Sequence, residues 1–146
     1  MNHDRYDDDY IVDILKSVKV IALVGASPDP SRPSNAVMRY LQEHGYRVNP
    51  VNPGQAGKTI NGAVVAASLA DVDGPVDMVD VFRASQYLPK VVEDALAMPQ
   101  PPKVIWSQLG VRDDAAAALA ERAGVKVVMN RCPAIEIPRL LGEHAR

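Results

Sequence analysis

The sequence predicts an α/β protein: a Rossmann-like, doubly wound parallel sheet of five to six strands in a single domain, residues 1–146, with a leading N-terminal helix in 1–18. Three observations carry that expectation. Short β-branched apolar runs alternate with helix-length segments, the pattern of a parallel sheet covered on both faces. Glycines stand where two of those segments end, Gly45 and Gly124, as C-terminal caps do. The 146 residues are enough to bury about two-thirds of the unfolded surface in one core.

The elements follow in order. Residues 7–18 place Ile11, Ile14, Leu15 and Val18 on one helical face, with aspartates in the first turn where the helix dipole favours them. Strands are expected at 19–25 (KVIALVG), 46–51 (YRVNPV), 76–82 (VDMVDVF), 103–107 (KVIWS) and 125–129 (VKVVM), with a short sixth at 63–66. Residues 34–44, 85–98 and 113–123 supply crossover helices, the first capped by Ser34. Right-handed crossovers then favour the order 3-2-1-4-5-6, the run at 63–66 being strand 3. That order sets the ends of strands 1 and 4 on either side of the switch point, where doubly wound sheets bind ligands.

Bulk properties exclude several partners. A net charge of −2 gives no electrostatic reason for nucleic-acid or membrane binding, so an anion site must be local. One cysteine excludes an internal disulfide framework and a multi-cysteine metal site. No apolar run approaches the ~20 residues of a membrane span, and MNHDRYDDDY lacks the apolar core of a signal peptide. A cytoplasmic location is the expectation, and the sequence names no protein partner.

After strand 1 the chain breaks into GASPDPSRPS. Pro28, Pro30 and Pro33 fit neither a ladder nor a helix interior, so this turn is stiff and shaped. The first such turn of an α/β protein is where phosphates meet free N–H groups at the next helix start. The dinucleotide fingerprint G-x-G-x-x-G is absent, because Ala26, Ser27, Pro28 and Asp29 follow Gly25. Strand 2 ends in Asn49 and Asn52 rather than the carboxylate that would hold a ribose diol. A Walker loop lacks its G-K-[ST] ending. An NAD(P)-binding oxidoreductase-like protein and a ligand-free scaffold stay open as alternatives.

Five motifs spanning nearly the whole chain, VGASPDPSRPS, GYRVNPVNP, VDMVDVFR, VIWSQLGV and VVMNRCPAIE, resemble the small bacterial and archaeal CoA-binding domain family, the YccU-like proteins. The fold is also similar to the N-terminal CoA-binding domain of the succinyl-CoA synthetase α subunit. The resemblance implies that coenzyme A or an acyl-CoA is the ligand, bound through its ADP part at the switch point, with no evident catalytic centre.

The residues suit that ligand. Gly25, Ala26 and Ser27 let the backbone approach a phosphate, and Ser27 and Ser34 add hydroxyls near a helix N-terminus. Arg32 is the nearest cation, or else a solvated loop arginine. Asn52 and Pro53 make a rigid strand exit; Gln55 stands where the synthetase domain has a lysine, and Lys58 either replaces it at the 3′-phosphate or is an exposed lysine. Val81 and Phe82 offer a wall for adenine or pantetheine, or ordinary core packing, with Arg83 at the mouth. The resemblance adds Ser107 and Gln108 after strand 5. Of the histidines, His3 and His144 lie near the chain ends and His44 beside Gly45, away from the strand-end loops. Asp80 and Glu136 are expected in surface or capping roles. Cys132 is the one redox candidate: it precedes a helix with Arg131 beside it, a setting suited to exchange with the thiol of CoA. Space-filling before Pro133 is its alternative role.

Overall fold

The computed structural model describes residues 1–142, so His144 lies outside the described residues. The strands are β1 (Val20–Val24), β2 (Arg47–Val51), β3 (Thr59–Ile60), β4 (Ala63–Val64), β5 (Met78–Val81), β6 (Val104–Ser107) and β7 (Lys126–Val128). The helices are α1 (Asp8–Ser17), α2 (Pro33–Glu43), α3 (Leu88–Leu96), α4 (Asp114–Arg122) and α5 (Pro133–Leu140). Five strands pair in parallel in the order β2-β1-β5-β6-β7. Side chains alternate along each strand and so build two cores. Ile21, Leu23, Met78 and Trp106 pack with α1, α2 and α5, while Ala22, Val79, Ile105 and Val127 pack with α3 and α4. Trp106 is fully buried, and its Nε1–H donates to the Arg131 carbonyl at 2.9 Å.

The expected strand 3 is not in this sheet. Asn61 and Gly62 have φ of 46° and 81°, the two positive values a two-residue hairpin turn needs, so β4 folds back antiparallel on β3. Only Ala66 reaches the sheet, donating to the Pro50 carbonyl and accepting from the Asn52 N–H, a single parallel bridge beside Val51. The remaining five strands keep their expected order. Ser34 does not cap α2: Arg32 is the cap residue, Pro33 fills the first turn, and no side chain makes a capping bond. The segment expected as a helix over 85–98 opens with a 3₁₀ turn, Ser85–Tyr87, because Pro89 is tolerated only in the first turn of α3.

The far edge of the sheet is closed by the N-terminal segment. Val127 points its backbone outward, and Tyr10 Oη donates to the Val127 carbonyl at 2.9 Å while accepting from its N–H at 3.2 Å. Burial pushes the Tyr10 phenol up to about 12, so it keeps the donated proton well into alkaline pH. Tyr6 stacks on Tyr10 and accepts from the Met129 N–H at 2.8 Å. His3 is not at a loose end: it is 6% exposed and bonds Tyr6 Oη at 2.6 Å and Glu121 at 3.1 Å. Tyr10→Phe removes both bonds to Val127 and is expected to cost ~1–3 kcal/mol in urea unfolding, seen as a lower midpoint at unchanged slope.

Candidate functional site

The exits of β1, β2 and β5 are locked together at the C-terminal edge of the sheet. Gly25 has φ +91°, and a Cβ there would stand 2.5 Å from the Phe82 carbonyl oxygen. Phe82 in turn donates to the Val24 carbonyl at 2.8 Å. The Gly25 and Ala26 N–H groups both donate to the Val51 carbonyl, at 3.0 and 3.3 Å. Asn52 ties the same exits from its side chain, Nδ2 donating to the Ala26 carbonyl at 2.8 Å and Oδ1 accepting from the Gly54 N–H at 2.9 Å. The expected phosphate contacts at Gly25 and Ala26 are thus already committed within the protein.

Free donors begin one residue later. Ser27 Oγ accepts from the Asp29 N–H, and Asp29 Oδ1 accepts from the N–H and hydroxyl of Ser31. Those two bonds from Ser31 hold the Asp29 carboxyl below its ordinary value. Asn35 Nδ2 donates to the Ser27 carbonyl at 2.9 Å, so the start of α2 is fixed against the loop. Among the described residues the N–H groups of Ser27 and Ser34 have no protein acceptor, and Pro33 has no N–H to offer. The loop is rigid, and its two free amides stand at the positive end of a helix.

These residues line a crevice of about 460 Å³ between the β1 and β5 exits. Gly25, Ala26, Ser27, Arg32, Ser34, Asn52, Phe82, Arg83 and Gln108 of the sequence-predicted set meet there. Pro53 lines a separate recess of about 180 Å³, with Leu69 and Tyr87. Arg83 lines both spaces, its guanidinium 4.4 Å from the centre of the Tyr87 ring. Val81 is fully buried in the α3–α4 core, and Ser107, also fully buried, donates from Oγ to the Val111 carbonyl at 2.7 Å. Both stand outside the crevice wall, although Ser107 shapes the loop that forms part of it. Lys58 is exposed beside the β3–β4 hairpin and lines neither space. Cys132 is 6% exposed, in the same core cluster as Trp106 and Ile137, and outside both linings.

Sequence reasoning missed Pro33, Ala84, Leu109 and Val111. Leu109 was the findable one, an apolar residue directly beyond a strand end and 53% exposed. Its loop is held from three sides: Gln108 N–H donates to the Val81 carbonyl, Gly110 N–H to Asn130 Oδ1 at 2.7 Å, and Arg112 N–H to Ser85 Oγ. Asp80 and Glu136, expected in surface or capping roles, are 0% and 5% exposed. A depression of about 490 Å³ beside the outer edge of β2 is slightly larger, but it lies away from the switch point, with Asp71, Asp73 and Arg47 in its lining. No cluster of His, Cys, Asp or Glu able to hold a metal occurs among the described residues, and no described helix is long and apolar enough to cross a membrane.

A doubly wound sheet with free backbone amides and two arginines in its switch-point crevice defines a class of proteins that bind phosphate-bearing cofactors. Within that class, residues 19–138 match the model of the CoA binding domain, and the chain belongs to that family. It is 39% identical to the uncharacterised protein YneT of Bacillus subtilis over 125 residues, 84% of this chain and 87% of that one. A hypothetical protein from Pyrococcus horikoshii is similar in structure, with TM-score 0.87 and 39% identity over 97% of both chains. The Thermus thermophilus protein called cell-free ID.343 gives TM-score 0.87 at 40% identity, over 93% of this chain and all of that one. The α subunit of an ADP-forming acetate–CoA ligase from Pyrococcus furiosus is 31% identical over 87 residues, 57% of this chain and 19% of the subunit.

Proposed function

We propose that the protein binds coenzyme A in the β1/β5 crevice, holding the ADP part through phosphates placed at the start of α2. The observation that carries this reading is the pairing of unpartnered Ser27 and Ser34 N–H groups with Arg32 and Arg83 in one lining. Phe82, Leu109 and Val111 supply the apolar wall a nucleobase or pantetheine arm needs. Membership of the CoA binding domain family supports the choice of cofactor, as does the partial match to a CoA ligase subunit. The crevice lining holds no carboxylate, histidine or cysteine, which favours a binding protein over an enzyme that completes a transfer there. NAD(P) is the competing ligand, and the acid-free end of β2 disfavours it.

Calorimetry with CoA, dephospho-CoA, NAD(H) and NADP(H) tests the assignment. CoA is expected to bind most tightly, and tighter binding of a nicotinamide nucleotide would overturn it. Arg32→Ala and Arg83→Ala are each expected to weaken CoA by ~1.5–3 kcal/mol, the range for a hydrogen bond to a charged group. The 3′-phosphate is assigned to whichever alanine variant, Arg32 or Arg83, makes CoA and dephospho-CoA bind alike. Equal affinities in the unmutated protein would remove both residues from that role.

A further inference from the structure

Asp80 is the feature the binding reading leaves unexplained. It sits on the central strand β5, in register with Leu23 of β1 and Trp106 of β6, and is fully buried. Neither carboxyl oxygen has a hydrogen-bond partner among the described residues. Leu23 and Trp106 belong to the core beneath α1, α2 and α5, so Asp80 faces that layer. No free cation waits there among the described residues. Glu136 of α5 is paired with Arg139 at 2.8 Å and approaches Arg131 at 3.9 Å. Asp8, Asp9, Asp13 and Lys16 of α1 and Arg39 and Glu43 of α2 are exposed. Cys132, Tyr46, Tyr6, Tyr10 and Tyr40 are the other titratable side chains of that core. Asn35 of α2 adds a buried Oδ1 that also lacks a donor.

This carboxyl lies just below the crevice. Val81 and Phe82 follow it, and Phe82 abuts Gly25 at the loop whose free amides we assign to phosphate. Two residues of strand amount to about 7 Å. We propose that Asp80 is a proton site linked to ligand occupancy: the phosphate-bearing ligand binds with the Asp80 carboxyl protonated, and ionisation of that carboxyl weakens it. The inference rests on the CoA reading and adds a regulation to it. An ionised Asp80 and the bound phosphates would be like charges separated by a low-dielectric interior. Desolvation alone pushes the carboxyl up to about 8, which sets the pH at which the linkage is read. Binding above that pH returns one proton from solvent to the carboxylate.

Calorimetry of CoA binding from pH 7 to 9.5, in buffers of different ionisation enthalpy, tests this on the wild type, Asp80→Asn and Asp80→Leu. Ionisations of CoA itself are common to all three. The wild type is expected to take up an additional fraction of a proton near pH 8 and above, and to lose roughly tenfold or more in affinity relative to either variant across the range. Should only one variant fold, it suffices for the comparison. Superimposable pH profiles and equal proton uptake would overturn the linkage while leaving CoA as the ligand. Failure of the wild type to bind CoA at any pH would overturn both.

Discussion

Asp80→Asn is expected to make the protein about 1–2 kcal/mol more stable than the wild type at pH 5 and several kcal/mol more stable at pH 9. The sign follows from proton binding. The carboxyl rises from an ordinary 3.8 to about 8 in the folded chain, so between those values the native state holds a proton the unfolded state has released. Wild-type stability therefore declines as pH rises through that window and levels off above it. Desolvation is the cause of the shift, and among the described residues no hydrogen bond or ion pair compensates for the charge. A neutral amide of the same shape removes the titration, and the difference between the two proteins isolates it. Urea unfolding at four pH values between 5 and 9 decides the point; parallel curves for the two proteins would show that the carboxyl ionises without cost.

Gly25→Ala is expected to destabilise by about 3 kcal/mol or more and to abolish detectable CoA binding. Two effects add. The residue has φ +91°, which costs a side chain about 1–2 kcal/mol, and its Cβ would be pressed to 2.5 Å from the Phe82 carbonyl oxygen. Backbone cannot yield as a flexible side chain does, so the β1 and β5 exits must part, and the crevice lies between them. Gly57→Ala is the matched control, since its φ is +82° with no atom within 4 Å of the added carbon. The control is expected to cost only the conformational part, about 1 kcal/mol. Equal losses in the two variants would mean that the contact with Phe82 carries no weight.

The five strands were legible because β-branched runs buried on both faces have few other fates, and their ends fall within two residues of expectation. Residues 63–66 show where that logic stops. Their apolar character reads as a strand, but the conformation at Asn61 and Gly62 sends the chain back locally before it can join the sheet. An Asn-Gly pair is a hairpin signal visible in the sequence, and here it prevails over the apolar run that follows it. At the site, residues on strand-end loops were legible since topology alone brings those loops together. Which N–H groups stay free was not, because the carbonyl of Val51 engages Gly25 and Ala26 through a pairing no local pattern encodes. Lys58 fell outside both spaces for the same reason that strand 3 was lost, as the hairpin carries that stretch away. Asp80 departs from the surface or capping role expected of it, since single carboxylates in apolar runs seldom end up fully buried without a partner.

The tyrosine closure of β7 has a consequence for self-association. An outer strand normally advertises its spare amides and carbonyls to any passing chain, and proteins discourage this with charges, prolines or bulges. Here two phenols complete the ladder in place of a neighbouring strand, saturating Val127 and the Met129 N–H from a helix and the segment before it. Cover for this edge thereby depends on the docking of residues 1–10. A transient release of that segment, held in part by the Asp4–Arg112 ion pair at 2.9 Å, would uncover a template for cross-β growth while the rest of the domain stayed folded.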